Sequence, residues 1–100
     1  MITLINVFTV ELPNQQRLVD LLARATDEYV SRAPGFISST LHRSLDGTKV
    51  TMVAQWNSVE EYEAMRADPG PLPFLKEALD IASFEPGIYE IVRNFAPAAR

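Results

Sequence analysis

The chain has 100 residues, no cysteine and a formal net charge of −4, with 47% hydrophobic and 22% charged residues. That mixture is globular and of single-domain length; it excludes a disulfide scaffold, a thiolate metal site and a cysteine nucleophile, and the acidic balance excludes a general nucleic-acid binder. A lone histidine, His42, excludes a multi-histidine metal site within one chain, no apolar run approaches the ~20 residues of a membrane span, and the N-terminus lacks the marks of a signal peptide, so a cytoplasmic protein is expected.

No linker, low-complexity tract or internal repeat divides the chain, so residues 1–100 are read as one domain with a core over about 2–95. Residues 2–11 (ITLINVFTVE) are rich in Ile, Val, Phe and Thr and predict a strand covered on both faces. Pro13 and Asn14 break it and open a helix whose stripe is Leu18, Leu21, Leu22, Ala25 and Tyr29. Pro34-Gly35 ends that helix. Residues 36–45 and 48–56 flank Asp46-Gly47, a strong hairpin signal. A two-residue turn there pairs Leu45 with Thr48, Arg43 with Val50, Leu41 with Met52, Ser39 with Ala54 and Ile37 with Trp56. Those residues share one face; Ser38, Thr40, His42, Thr51, Val53 and Gln55 take the other.

Ser58 and Glu61 form a capping box for a short helix with Val59, Tyr62 and Met65 on its apolar side. Asp68-Pro69-Gly70-Pro71 stops it, and a second piece starts near Pro73 with Leu75, Ala78, Leu79 and Ala82 in one stripe. Pro86-Gly87 then turns into a last strand, 88–95, followed by a loose tail, 96–100. The order is βαββαβ with a broken second helix. Right-handed crossovers and the central hairpin give an α+β, ferredoxin-like antiparallel sheet with helices on one face. The helix-free face is too apolar to stay wet and too polar for an ordinary core, which predicts packing against a second copy as a homodimer.

Chemistry-bearing motifs are few: no Gly-rich phosphate loop, GxSxG elbow, HExxH or DxDxDG occurs. His42 and Ser44 share a strand face but lie too far apart for a triad, so His42 reads as an interface histidine. Trp56, with face mates Met52, Ala54, Leu41, Ile37 and Ser39, lies under the helices, where Tyr62, Met65 and Tyr29 converge. These side chains form either an ordinary aromatic core or a flat, aromatic-lined cavity for a planar ligand. Asn6, an amide in a central apolar strand, requires a partner, whether a neighbour, a water or a ligand. Lys76 reads as a surface charge or, beside such a cavity, as a cation for a phenolate or enolate. Glu60, Glu61, Glu63 and Glu77 read as solvent faces.

The block Pro34-Gly35-Phe36, His42, Ser44, Asp46-Gly47-Thr48 and Ala54-Gln55-Trp56, with Tyr62 beyond it, resembles the antibiotic biosynthesis monooxygenase family, particularly the quinone-forming, actinorhodin-type enzymes of aromatic polyketide pathways. The resemblance spans roughly residues 4–92. It implies a ferredoxin-like dimer whose sheets form an α+β barrel, a small aromatic substrate held between sheet and helices, and molecular oxygen as co-substrate with no flavin, haem or metal. A deprotonated phenol or anthrone passes an electron to oxygen, the radicals combine to a peroxide, and water leaves to give a quinone. By position, Trp56 takes the family tryptophan's role of wall or N–H donor, and Tyr62 that of hydrogen-bonding the substrate oxygen. Actinorhodin-type members carry an asparagine where Met52 stands and an arginine where Lys76 stands; Asn6 is the candidate replacement for the amide. Haem-degrading relatives carry a tryptophan near Met65 and a histidine after His42, both missing here. A cyclase or isomerase on the same fold and a non-catalytic binding dimer are the competing readings.

Overall fold

Strand β1 (Ile2–Val10) divides its side chains between two environments in the computed structural model, which describes residues 1–98. Leu4, Phe8 and Val10 are buried beneath helices, whereas Ile5 and Val7 are half-buried on the opposite face. Along one edge β1 pairs antiparallel with β3 (Lys49–Trp56), which in turn pairs with β2 (Phe36–Arg43). Along its other edge lie β4 (Ala82–Glu85) and β5 (Ile88–Tyr89), giving the order β2-β3-β1-β4 with β5 also on β1. This is the α+β, ferredoxin-like arrangement expected from the sequence.

The helices are α1 (Gln15–Glu28), α2 (Val59–Ala67) and α3 (Leu72–Ile81). Leu18, Leu21 and Leu22 of α1 and Ala78 of α3 pack on Phe8, Val10 and Val50, and the Phe8 and Phe84 rings stack at 5.0 Å. A second cluster joins Leu4, Ala54, Trp56 and Tyr62. The capping box forms as read: the Ser58 hydroxyl accepts from the Glu61 N–H and donates to its carboxylate. Arg17 and Glu77 bridge α1 to α3 at 3.0 Å, but both side chains are about half exposed, so the pair contributes at most about 1 kcal/mol. Among the described residues no helix is long and apolar enough to cross a membrane.

Three local expectations change. The hairpin keeps its register but not its two-residue turn: Ser44 N–H bonds to the Lys49 carbonyl at 3.0 Å, leaving a four-residue loop over 45–48. The Asp46 carboxylate explains the wider loop, because it accepts from Thr48 N–H, Thr48 Oγ1 and Ser44 Oγ at 3.0, 2.7 and 2.8 Å. These bonds compete with the tight turn, and Gly47 takes the positive φ of +82° that closes the loop. At the other end of the hairpin a bulge at Ile37 replaces the expected Ile37–Trp56 pair with Phe36 opposite Trp56. The bulge leaves Ile37 46% exposed and sends Phe36 to the helix side, edge-on to Trp56 at 5.4 Å.

The last strand begins earlier than expected. Ala82 opens β4 instead of finishing a helix, and Pro86-Gly87 interrupts an edge strand instead of preceding one. The register against β1 is unchanged across the interruption, with Val7 opposite Glu85 and Leu4 opposite Ile88. Proline is tolerated there because an edge strand need not donate every N–H. Beyond Tyr89, opposite Thr3, β1 has almost no residues left to pair with, so 90–95 stay outside the sheet. Residues 96–98 have no regular structure, and the end of the tail expected to be loose, residues 99 and 100, lies outside the described residues.

The hydrogen bonds from Thr48 and Ser44 hold the Asp46 carboxyl down at about 2, against an ordinary value of 3.8. A carboxyl lowered on folding stabilises above its ordinary value, and that contribution is lost as pH falls through about 2. Thr48→Val is expected to move the carboxyl back up toward 3.8, as followed by NMR titration of its side chain; an unmoved titration would contradict this reading of the loop.

Candidate active site

Between the helix-facing side of the sheet and the helices lies a cavity open to one side. Its volume is about 100 Å³, below the ~300–1,000 Å³ of pockets that enclose a drug-sized ligand, so it encloses only part of a ligand of that size. The floor is β1 and β3, through Asn6, Phe8, Met52, Ala54 and Trp56. Over it stand Leu22 and Ala25 of α1, Tyr62, Met65 and Arg66 of α2, and Leu75 and Leu79 of α3. Small side chains at Ala25 and Ala54 leave space between roof and floor that larger groups fill in an ordinary core.

Trp56 anchors the aromatic wall. It is 1% exposed and edge-on to both Phe36 and Tyr62, the latter at 5.7 Å, so neither indole nor phenol can swing freely. Tyr62 is held from behind by the capped first turn of α2, which fixes the helix entry. Asn6 lies directly across from Met52. Its amide oxygen is buried and has no hydrogen-bond partner among the described residues, and the side chain lines the cavity. An unpaired buried amide oxygen costs roughly 1–3 kcal/mol, and such groups call for an explanation in function.

Of the nine residues singled out from the sequence, Asn6, Ser39, Met52, Trp56, Tyr62 and Met65 line this cavity. Lys76, Tyr29 and Leu41 do not. Lys76 lies between Leu75 and Ala78 on α3 but about a hundred degrees round the helix from Leu75, which turns it to solvent. Tyr29 packs on Phe74 at 5.9 Å and against Gly70, where an added Cβ would lie 2.6 Å from the tyrosine ring. It therefore props the α2–α3 turn rather than touching the cavity. Leu41, opposite Met52, packs beside the Phe8 cluster.

Arg66, Phe36 and Phe84 line the cavity without having been singled out. Arg66 follows Tyr62 by four residues, one helical turn, and that spacing was readable. Phe36 needed the bulge, and Phe84 the earlier start of β4.

A ferredoxin-like sheet with helices on one face and an aromatic-lined cavity between them defines a small ferredoxin-like α+β domain with a cavity under its helices. Residues 1–70 match the family model of the antibiotic biosynthesis monooxygenases, and the chain belongs to that family, as the PGF-to-AQW block implied. It is 37% identical over 93 residues to tetracenomycin-F1 monooxygenase from Streptomyces glaucescens, covering 93% of this chain and 83% of that protein. A mutant of SnoaB, a cofactor-independent oxygenase from Streptomyces nogalater, superposes with a TM-score of 0.85 at 25% identity over 96% of this chain and 97% of that one. The monooxygenase of ActVA-Orf6 from Streptomyces coelicolor, solved with nanaomycin D, superposes with a TM-score of 0.84 at 26% identity, covering 97% and 92%. The chain is a monooxygenase, and oxygen chemistry without a bound cofactor agrees with the description of SnoaB.

Because Trp56 is the one tryptophan and lines the cavity, a bound anthraquinone is expected to quench its fluorescence. Lys76→Ala is expected to leave the affinity read from that quenching unchanged within about twofold, as for a surface substitution away from the site. A loss of tenfold or more would return Lys76 to the site.

Proposed function

We propose that this single-domain protein works in the cytoplasm as a homodimer that oxidises a polycyclic phenol or anthrone of an aromatic polyketide to a quinone, using molecular oxygen and no bound cofactor. The observation that carries the reading is the unpartnered Asn6 amide oxygen in the floor of a largely apolar, aromatic cavity whose lining also holds Thr26, Ser39 and Arg66. An acceptor in that position recognises a hydroxyl donor on a flat hydrophobic ligand. Support comes from the tetracenomycin and nanaomycin chemistry named for two similar proteins.

In this reading the ring system slides between Trp56 and the helices, and its hydroxyl donates to Asn6 Oδ1. The amide sits across one strand pair from Met52, the position where the resemblance implied an asparagine, so the hydrogen bond is kept with its origin moved by one strand. Tyr62 hydrogen-bonds the oxygen of the ring that reacts. Loss of a proton from the ring gives an anion that passes one electron to oxygen. The radical pair combines to a peroxide, and water leaves to form the new carbonyl. One oxygen atom stays in the quinone, and the other departs in water with two hydrogens of the substrate: both from the oxidised carbon of an anthrone, or one from the ring carbon and one from the hydroxyl of a phenol. The protein contributes orientation, exclusion of bulk water and hydrogen bonds to developing charge.

The dimer is supported by the helix-free sheet face, where Ile5, Val7 and Val53 lie half-buried beside Thr51 and a Thr3–Gln55 side-chain hydrogen bond of 2.9 Å. Val53→Asp on that face is expected to shift the protein from dimer to monomer in sedimentation; an unshifted dimer would place the interface elsewhere.

Incubation with an anthrone is expected to give oxygen uptake that depends on the protein and matches quinone formation one to one, without added metal or flavin. Trp56→Phe and Tyr62→Phe should each lower the rate by about tenfold or more while the dimer survives. Asn6→Leu is expected to act in opposite directions, raising unfolding stability by about 1 kcal/mol as the unpaired oxygen is removed while lowering turnover. A variant both less stable and fully active would contradict the role given to Asn6.

A further inference from the structure

The cavity has a neighbour. Between α2 and the turn that leads into β2, residues Ala33, Pro34, Glu61, Ala64, Met65 and Asp68 line a cleft of about 120 Å³. Met65 lines both this cleft and the cavity, and no other residue does, so its side chain is the partition between them. The other walls of the cleft are fixed. Ala33, Pro34 and Ala64 have no side chain long enough to swing away. Glu61 accepts from the Ser58 hydroxyl at 3.1 Å and lies against Gly35, where an added Cβ would stand 2.6 Å from the Cβ of Glu61. Asp68 is held by the Gly70 N–H at 2.9 Å. On the cavity side, Trp56 is set edge-on to Phe36 and Tyr62 at 5.4 and 5.7 Å.

Met65 is different in kind. It is half-buried, and its unbranched chain turns about three bonds, so the thioether can move while α2 stays in place. The volumes give that freedom a use. The cavity of about 100 Å³ encloses only part of a polycycle, and the cleft behind Met65 is as large again. We infer that Met65 determines the length of ring system the site accepts: it closes the cavity behind a short ligand and swings aside to let a longer one run into the cleft. This rests on the proposed binding of a polycyclic phenol in the cavity and adds the residue that limits its length. The cost of the longer ligand is the displaced rotamer of one side chain, which is small enough for the site to take both and large enough for it to discriminate.

The test compares a two-ring hydroxynaphthoquinone with a linear four-ring hydroxynaphthacenequinone, reading affinity from quenching of Trp56. Met65→Ala removes the partition and should shift the affinity ratio about tenfold toward the four-ring ligand. Met65→Ile keeps a similar bulk on a stem that is locked at χ1 in a helix, and should shift the ratio the other way by weakening the four-ring ligand alone. A side chain that only supported the fold would change both affinities together. The wild-type protein gives a second readout, since its methionines are Met1, Met52 and Met65. In methyl NMR the Met65 methyl carbon, whose shift follows the side-chain rotamer, should respond to the four-ring ligand and stay in place with the two-ring one. Affinity ratios unmoved in both variants, or a Met65 methyl that responds alike to the two ligands, would overturn the assignment. Oxygen uptake by the wild-type protein with an anthrone separates the two failures. Uptake without length selection defeats only the Met65 assignment, and length-selective binding with no uptake on any phenol or anthrone defeats only the oxidation.

Discussion

Pairing of β1 along both of its edges is the constraint from which the remaining structure follows. With β3 on one side and β4 and β5 on the other, its register is fixed twice, and a slip of one residue would exchange its two faces. That register puts Leu4, Phe8 and Val10 under the helices. It also puts Asn6 there, between Leu4 and Phe8, because its side chain must point the same way. A polar group in the apolar floor is thus a consequence of strand geometry once the sequence places Asn at that position. Its unpaired oxygen is retained at a cost in stability, which is the usual mark of a site kept for binding.

The cavity persists because the covering helices are held apart. Ala25 above and Ala54 below are too small to fill the gap, and Asp68-Pro69-Gly70-Pro71 separates α2 from α3. The break is itself braced. Asp68 accepts from the Gly70 N–H at 2.9 Å, and the Tyr29 ring lies so close to Gly70 that a side chain there would collide. Tyr62 and Arg66 on one helix and Leu75 and Leu79 on the other consequently form two walls rather than one continuous roof.

Periodicity and capping made much of this legible before any coordinates. The helical stripe Leu18, Leu21, Leu22 and Ala25 and the Ser58–Glu61 box each depend on local spacing, and each formed as read. So did the face assignment of Met52, Ala54 and Trp56, which followed from alternation. The misreadings came from interactions between segments. Ser44 and Thr48 hydroxyls reaching Asp46 widened the hairpin turn, and the Ile37 bulge exchanged Ile37 for Phe36 opposite Trp56. The final strand began at Ala82 because β1 offered it a partner there, and Pro86 could be accommodated only because that strand is an edge. At the site, aromatic residues were legible by type, whereas Lys76 was misplaced by its angle around α3 and Tyr29 by the end of α1 at Glu28, which leaves it outside the helical stripe. Arg66 was hidden by its charge, although its spacing from Tyr62 was plain.

The central claim is that the Asn6 carbonyl holds the substrate's hydroxyl, and a double-mutant cycle between protein and ligand tests it most directly. Affinities would be measured for the wild-type protein and Asn6→Leu, each with a hydroxylated polycycle and its counterpart lacking that hydroxyl. The account predicts a coupling energy of about 1 kcal/mol or more, with Asn6→Leu weakening only the hydroxylated ligand. Equal losses for both ligands, with no coupling, would contradict it.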